Sequence, residues 1–265
     1  MKAATSSLAS DLARHPSIQM APRELHYFNS DGNYQKGLDY YGGFFENVPP
    51  EMIAGEKTPS YSNHPLAAGR MAETLPQVKL IWIFREPVSR AYSHYNFFVG
   101  RGKEWRTFSQ AVNREMRNPE INLIQRYLER GIYVRQVERY LQHFSKSQML
   151  FLLFEDYIHH KQQVLNQTFN FLQVSADHYP MAASLPKNVT YLPRSSFIQW
   201  LACRIFRYRA NSLYKLISRW NRRPGSGYRS MNQKLQDQLT TFFEPYNLQL
   251  SELTGLDLST WQKMK

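Results

Sequence analysis

The chain has 265 residues, and 42% of them are hydrophobic, which is enough for a packed core and excludes a largely disordered chain. Its single cysteine excludes an intramolecular disulfide bond and a cysteine-based zinc site. The net charge is +12, and residues 178–236 hold eleven lysines and arginines with no acidic residue, which favours an anionic partner such as a nucleotide or an acidic polymer.

The pattern of apolar residues and of chain-breaking prolines and glycines predicts alternating helices and strands. In the first half of the chain we expect a helix over Thr5–Arg14, loops and turns over 26–50, a strand over Met52–Gly55, a helix over Pro65–Leu75, a strand over Val78–Phe84 and a helix from Pro87. In the second half we expect a helix over Val134–Phe144, a strand over Met149–Phe154, a helix from Asp156 that includes Leu172, one long helix over 195–220 and, after a break at Pro224–Gly227, further helix. Short apolar strands between helices indicate an α/β fold with a parallel sheet, and ligands of such sheets bind beyond the carboxyl ends of the strands.

The sequence shows neither the apolar run of a membrane-spanning helix nor the pattern of a secretory signal. No apolar run approaches the roughly 18–20 residues that a membrane-spanning helix needs, and the first residues lack the regions of a secretory signal. We therefore expect a cytoplasmic protein without a membrane span, folded as one domain over residues 1–265. We interpret the aromatic and basic residues of 195–220 as helix packing with a basic rim rather than as a membrane or nucleic-acid surface.

The most informative segment is Lys79–Tyr95, where an apolar strand leads into a helix that begins at Pro87. Arg85 ends the strand, and Ser93 lies roughly 9 Å beyond Pro87 along the helix axis. An anion beside the first turns of the helix would meet both the guanidinium group and the hydroxyl, which together suit a phosphate. Alternatively, Arg85 makes a structural ion pair and Ser93 is an ordinary helix residue.

Lys79–Tyr95 closely resembles the 3′-phosphate-binding motif of sulfotransferases that use 3′-phosphoadenosine 5′-phosphosulfate (PAPS). It is most similar to the heparan-sulfate N- and 3-O-sulfotransferase branch and its bacterial relatives. The resemblance implies that Arg85 and Ser93 hold the 3′-phosphate of PAPS. It also implies a P-loop-like, three-layer α/β fold, with a central parallel sheet flanked by helices and a helical C-terminal part.

The segment Lys2–Leu8 begins with a lysine and continues with small and hydroxyl-bearing residues that open a helix. Backbone N–H groups at a helix N-terminus attract an anion, and the lysine adds positive charge, although an isolated Lys2 would more often be a solvated chain end. The segment resembles the 5′-phosphosulfate loop of the sulfotransferases. This resemblance implies that the donor is bound by Lys2, Ala3, Ala4, Thr5, Ser6 and Ser7. Family members carry a strand and a glycine before this lysine, so we expect the reading frame to begin upstream of Met1.

Glu24 and His26 lie among apolar and aromatic residues in Pro22–Phe28. A carboxylate in partly buried surroundings can have a raised pKa and serve as a general base. The alternative is a surface glutamate beside a hydrogen-bonded histidine. The segment resembles the Lys/Arg-Glu-x-His-Phe/Tyr-Phe stretch of the family, which implies that Glu24 deprotonates the acceptor and that His26 assists or positions it.

Lys57 follows the predicted strand that ends at Gly55, so it points toward the same rim of the sheet. The segment around it closely resembles the family's Glu-Lys-Thr/Ser-Pro-x-Tyr element, which implies that Lys57 contacts the sulfuryl group or the acceptor. The alternative is a solvated turn lysine. Two weaker resemblances, a Gly-x-Tyr helix start and a late basic loop, imply further nucleotide contacts. The residues concerned are Tyr133, Gly227 and Arg229.

The order and co-occurrence of these elements favour one function, which is sulfuryl transfer from PAPS to a hydroxyl or amine of a saccharide or polysaccharide. In that reaction Lys2 neutralises charge as adenosine 3′,5′-bisphosphate leaves. The histidines show no metal-ligand spacing, so we expect no metal. Three alternatives stay open: a truncated, inactive relative that binds nucleotide or anionic glycan, a P-loop kinase, and a basic nucleic-acid-binding protein. The absent Gly-x-x-x-x-Gly-Lys-Ser/Thr loop disfavours the kinase, and nucleic-acid binding would leave the ordered motifs unexplained.

Overall fold

A computed structural model of the chain describes residues 2–118, 125–177, 179, 192–207, 211–223 and 228–262. The chain forms two compact units. The first comprises Met1–Arg85, Tyr133–Lys187 and Gln249–Asp257, and the second comprises Glu86–Ile132, Asn188–Leu248 and Leu258–Lys265.

Helices and strands alternate through the first two thirds of the chain, and helices make up the rest of the described structure. In chain order the elements are α1 (Thr5–Leu12), β1 (Ile18–Met20), α2 (Asp31–Tyr34), α3 (Gly37–Gly42), β2 (Ile53–Gly55), α4 (Ala67–Thr74), β3 (Leu80–Phe84), α5 (Pro87–Gly100), α6 (Phe108–Arg117), α7 (Tyr133–Leu141), β4 (Met149–Leu153), α8 (Phe154–His159), α9 (Lys161–Leu172), α10 (Ser196–Phe206), α11 (Asn211–Trp220), α12 (Gln233–Thr254) and α13 (Ser259–Gln262). Every described strand lies in the first unit.

The described strands form two parallel pairs. β1 pairs with β2, with Ile18 opposite Ile53, and β3 pairs with β4, with Leu80 opposite Met149. β3 and β4 are apolar along their whole length, as expected for strands that are covered on both faces. The prediction of an α/β fold with parallel strands is confirmed. β1 was not predicted, because three residues are too few to show a strand period.

An apolar cluster in the first unit joins both strand pairs to the helices around them. It contains Leu8 of α1, Ile18 of β1, Ile83 of β3, Leu152 of β4 and Phe169 of α9. Burying such a side chain stabilises the fold by about 1.5–3 kcal/mol. Because α1 and β1 belong to this cluster, the segments that lead into and out of them are held on the same core.

The predicted helix that begins at Pro87 is confirmed as α5. The side chain of Glu86 caps it by accepting hydrogen bonds from the N–H groups of Val88 (2.7 Å) and Ser89 (2.6 Å). Two other segments differ from the predictions in their helices. The short helices α2 and α3 lie in the segment 26–50, which we predicted as loops and turns, and the helix predicted from Asp156 is two helices, α8 and α9.

The prediction of one long helix over 195–220 is wrong. Nε2 of Gln199 in α10 lies 3.4 Å from the hydroxyl of Tyr214 and 3.3 Å from that of Ser218, both in α11. In one straight helix, residues this far apart in sequence would be roughly 22 Å or more apart. The two helices are therefore packed against each other as a hairpin.

Candidate active site

The segment before α1 forms a turn that leads into the helix N-terminus. Lys2 and Ala4 have φ values of 70° and 55°, a left-handed conformation that costs a non-glycine residue about 1–2 kcal/mol. The carbonyl of Ala4 accepts hydrogen bonds from the N–H groups of Ser7 (2.8 Å) and Leu8 (3.0 Å), and none of the described side chains caps the helix. A helix start of this kind, preceded by small residues, can accept an anion.

Arg85 lies against this turn, at the carboxyl end of β3. Its Nη1 donates a hydrogen bond to the carbonyl oxygen of Lys2 (3.2 Å), and its guanidinium group lies 4.6 Å from the ring centre of Phe154. The hydroxyl of Tyr133, at the start of α7, donates to the carbonyl oxygen of Arg85 (2.9 Å). The first unit thus brings together three residues that the sequence predicted as parts of the donor site.

Lys57 links the turn before α1 to the predicted general base. Its Nζ donates a hydrogen bond to Oγ of Ser6 (3.1 Å) and forms an ion pair with Oε1 of Glu24. Oε2 of Glu24 is 3.5 Å from Nε2 of His26. The side chains of Glu24 and His26 are 38% and 47% exposed, so a substrate can approach both of them. Ser6, Glu24, His26 and Lys57 therefore form one cluster.

The parallel pairing of β1 with β2 explains why Glu24 meets Lys57. Met20 lies opposite Gly55 at the ends of the two strands, and the N–H group of Ala21 continues the pairing with the carbonyl of Gly55 (2.7 Å). The two segments that leave these strands therefore run side by side. Each carries a charged side chain into the space beyond the carboxyl end of its strand, as predicted for this type of sheet.

A hydrogen-bond network of three residues that we did not predict holds the backbone beside the cluster in place: Glu56, Thr58 and Tyr61. Oγ1 of Thr58 accepts a hydrogen bond from the N–H group of Leu25 (3.2 Å) and donates one to Oε2 of Glu56 (2.9 Å). The hydroxyl of Tyr61 accepts from the N–H group of Tyr27 (2.9 Å) and donates to Oε1 of Glu56 (3.0 Å). Partial burial raises the pKa of Glu56, whose two carboxylate oxygens accept the hydrogen bonds from Thr58 and Tyr61. The Glu-Lys-Thr-Pro-x-Tyr motif contains all three residues and is the signal that could have identified them.

His26 is held in a fixed orientation. Its φ is 51°, and its Nδ1 lies 3.3 Å from Oδ1 of Asn29 and 3.4 Å from Oγ of Ser60. An amide oxygen beside Nδ1 favours a proton on that nitrogen, which leaves Nε2 directed toward Glu24. A hydrogen bond between Nε2 and Glu24 therefore needs a proton on one of the two groups, so His26 can accept a hydrogen bond from Glu24 once the carboxyl group has taken up a proton.

The other predicted nucleotide contacts lie in the second unit. Ser93 on α5 is 2% exposed, and its Oγ lies 3.0 Å from the hydroxyl of Tyr228. The hydroxyl of Tyr92 donates to the carbonyl oxygen of the exposed Arg229 (2.9 Å). Gly227 lies outside the described residues. Tyr228 belongs to the loop that we assigned to the nucleotide, but its contact with Ser93 was not predicted.

The described ranges contain neither a metal-binding cluster nor a membrane-spanning helix. Within them, no group of three or more His, Cys, Asp and Glu side chains could hold a metal ion. No helix in the same ranges is both long and apolar enough to cross a bilayer.

Comparisons with known proteins give the chain its family. The sulfotransferase domain model matches residues 5–193. Human heparan sulfate glucosamine 3-O-sulfotransferase 3B1 is 26% identical over 260 residues, which is 97% of this chain and 62% of the human protein. Mouse bifunctional heparan sulfate N-deacetylase/N-sulfotransferase 4 is 26% identical over 281 residues, which is 100% of this chain and 30% of the mouse protein. The chain thus spans less than two thirds of the length of these curated relatives.

A solved structure agrees with this result. The crystal structure of a sulfotransferase from Alicyclobacillus acidocaldarius matches the chain with a TM-score of 0.74 and 26% identity, covering 99% of this chain and 95% of that one. The likeness confirms the prediction of a P-loop-like α/β fold. Because the family model covers well over half of the residues, this chain belongs to the sulfotransferase domain family, whose members are transferases of sulfuryl groups.

Proposed function

We propose that the chain transfers the sulfuryl group of PAPS to a hydroxyl or amine of a saccharide, with a polysaccharide of the heparan sulfate type as the acceptor. The observation that carries this proposal is the position of Lys57, whose ammonium group contacts both Ser6 and Glu24. One cation thereby connects an anion-accepting helix start with a carboxylate that is open to solvent. Relatives named for heparan sulfate sulfation support the acceptor class.

The donor would be bound by charge and by backbone N–H groups. The N-terminus of α1 and Lys2 suit the 5′-phosphosulfate, because both present positive charge to an anion. Arg85 and Ser93 are assigned to the 3′-phosphate, since a guanidinium group and a hydroxyl both donate to phosphate oxygens. The remaining nucleotide contacts are assigned by family resemblance: Tyr133, Gly227 and Arg229.

The proposed transfer is an in-line displacement at sulfur. Glu24 takes the proton of the acceptor hydroxyl or amine as that atom forms its bond to sulfur. The bond from sulfur to the bridging oxygen breaks, and adenosine 3′,5′-bisphosphate leaves with the bonding electrons, whose charge Lys2 neutralises. When Glu24 becomes protonated, its ion pair with Lys57 is lost. The ammonium group of Lys57 then becomes available to the oxygens of the transferred group.

The base assignment is tested with two matched variants, Glu24→Gln and Glu51→Gln, since Glu51 is an exposed glutamate outside the cluster. Transfer of labelled sulfate from PAPS to heparan sulfate should fall by about 10²–10⁴-fold in Glu24→Gln and stay at the wild-type rate in Glu51→Gln. The affinity for adenosine 3′,5′-bisphosphate should be the same in all three proteins. Full turnover by Glu24→Gln would remove Glu24 from the mechanism.

A further inference from the structure

Helix α11 exposes apolar side chains to solvent and turns polar side chains toward the neighbouring helix α10. Its polar side chains Tyr214 and Ser218 face Gln199 of α10, which is 1% exposed, at 3.4 and 3.3 Å. On the other side of the helix, Leu216 and Trp220 are each 64% exposed. A helix on a protein surface normally turns its apolar side to the core and its polar side to water. The interpretation of 195–220 as packing is therefore wrong for Trp220.

The exposed apolar side chains form one continuous face. Leu213, Leu216 and Trp220 are spaced three and four residues apart, so they share one side of the helix; we call these three residues the outer stripe. Leu213 is 39% exposed, and every residue of α11 is at least partly exposed. A contiguous exposed apolar face marks an interaction site, because single exposed leucines are common and a stripe of them is not.

The charge around the outer stripe selects its partner. Lys215 and Arg219 lie on the same helix and are exposed, as is Arg222 just after it. The surrounding segment 178–236 has eleven basic residues and no acidic one. A second copy of the chain would bring two such basic surfaces together, which costs free energy by repulsion. An anionic polysaccharide would satisfy the charge, but it offers no apolar surface that could bury Leu216.

We propose that the outer stripe of α11 docks the chain on membranes that contain anionic phospholipids. A short amphipathic helix with leucine and tryptophan on one side and lysine and arginine beside them lies in the plane of such a surface, with its apolar side chains at the boundary of headgroups and acyl chains. The basic residues are attracted by the negative surface potential of the membrane. This inference is independent of the sulfuryl transfer proposed above.

Co-sedimentation of the whole chain with lipid vesicles tests the proposal. We expect binding to vesicles of phosphatidylcholine mixed with phosphatidylserine, and weaker binding as salt is added. Leu216→Ser and Trp220→Ser should each weaken binding by about tenfold or more, because each removes an apolar group that leaves water. Lys215→Gln and Arg219→Gln should each weaken it by about fivefold.

A matched control is Leu248→Ser, which removes a leucine of α12 that is 53% exposed and lies outside the outer stripe. It should bind the mixed vesicles as the wild type does, and circular dichroism should show all variants folded. Equal binding to pure phosphatidylcholine vesicles, or unchanged binding by Leu216→Ser and Trp220→Ser, would overturn the proposal. So would a dimer in sedimentation velocity that Trp220→Ser dissociates, because a second copy would then cover the stripe.

Discussion

Replacing Thr58 by valine removes one hydroxyl beside the candidate active site and keeps the side-chain shape. Thr58 is 7% exposed, and its Oγ1 is the acceptor for the N–H group of Leu25 and the donor to Glu56. In the variant, the buried N–H group of Leu25 has lost this acceptor and the carboxylate of Glu56 has lost one donor. The N–H group of Leu25 keeps its second interaction, with the carboxylate of Glu56. The main cost is therefore the lost hydrogen bond to that carboxylate, and we expect the free energy of unfolding to fall by about 1.5–3 kcal/mol.

The effect of Thr58→Val should depend on pH through Glu56. Partial burial raises the pKa of Glu56 above the ordinary value of a glutamate, and the hydrogen bond from Thr58 opposes that rise. A carboxyl group with a raised pKa in the folded state stabilises the fold fully below the unfolded pKa, and this contribution is lost as the pH rises through the folded pKa. Removing the hydroxyl raises the pKa of Glu56 further, so the destabilisation should be larger at about pH 7 than at about pH 4.

Urea unfolding at the two pH values measures both effects, with Thr168→Val as the matched control. Thr168 is 0% exposed, and its hydroxyl donates to the carbonyl of Val164 inside α9 (2.7 Å). That carbonyl already takes part in helix hydrogen bonds, so this variant should lose less than about 1 kcal/mol at either pH. The result would contradict the proposed hydrogen bonds of Thr58 with Leu25 and Glu56 if Thr58→Val were no more destabilising than Thr168→Val. Equal destabilisation at both pH values would contradict the link to Glu56.

Three further predictions concern the charge, the nucleotide contact and the packing. Lys57→Met should lower the rate of sulfate transfer by about 10²–10³-fold, while Lys36→Met, at an exposed lysine, should not; equal rates would contradict the role of the ammonium group. Ser93→Ala should weaken the binding of adenosine 3′,5′-bisphosphate by about tenfold to a hundredfold in calorimetry. Unchanged affinity would refute the proposed hydrogen bond between Ser93 and the 3′-phosphate. Gly102→Ala places a Cβ 2.5 Å from the Cβ of the chain's single cysteine at a φ of +66°, whereas at Gly32 a Cβ meets nothing within 4 Å. Thermal unfolding should show the first variant clearly destabilised, by about 1–3 kcal/mol, and the second unchanged or slightly stabilised.

The parts of the fold that the sequence predicts are those with strong local signals. The apolar runs that became β3 and β4 and the proline that begins α5 identify the strand-to-helix segment that carries Arg85. The contact between Glu24 and Lys57 has no local signal, because it depends on the pairing of two three-residue strands. The family motifs therefore identified the residues of the cluster, and only the structure gives their partners.

The errors in the helical part have a similar cause. Residues 195–220 contain neither glycine nor proline, so their helical pattern continues through the point where α10 and α11 separate. Gln199 reads as an ordinary polar residue of a surface helix, yet it is buried between the two helices. Hydrophobic periodicity indicates that a helix has an apolar side, and the packing of neighbouring elements decides which side is covered.

Transfer of sulfate from labelled PAPS to heparan sulfate by the purified chain tests the central claim most directly. We predict that label appears on the polysaccharide and that one adenosine 3′,5′-bisphosphate is released for each sulfate transferred. Two matched oligosaccharides, one with free amines and one with the same amines acetylated, would then separate O- from N-sulfation, because only O-sulfation persists when the amines are acetylated. Tight binding of adenosine 3′,5′-bisphosphate without transfer to any hydroxyl or amine acceptor would contradict the assignment of Glu24 and Lys57 as catalytic residues.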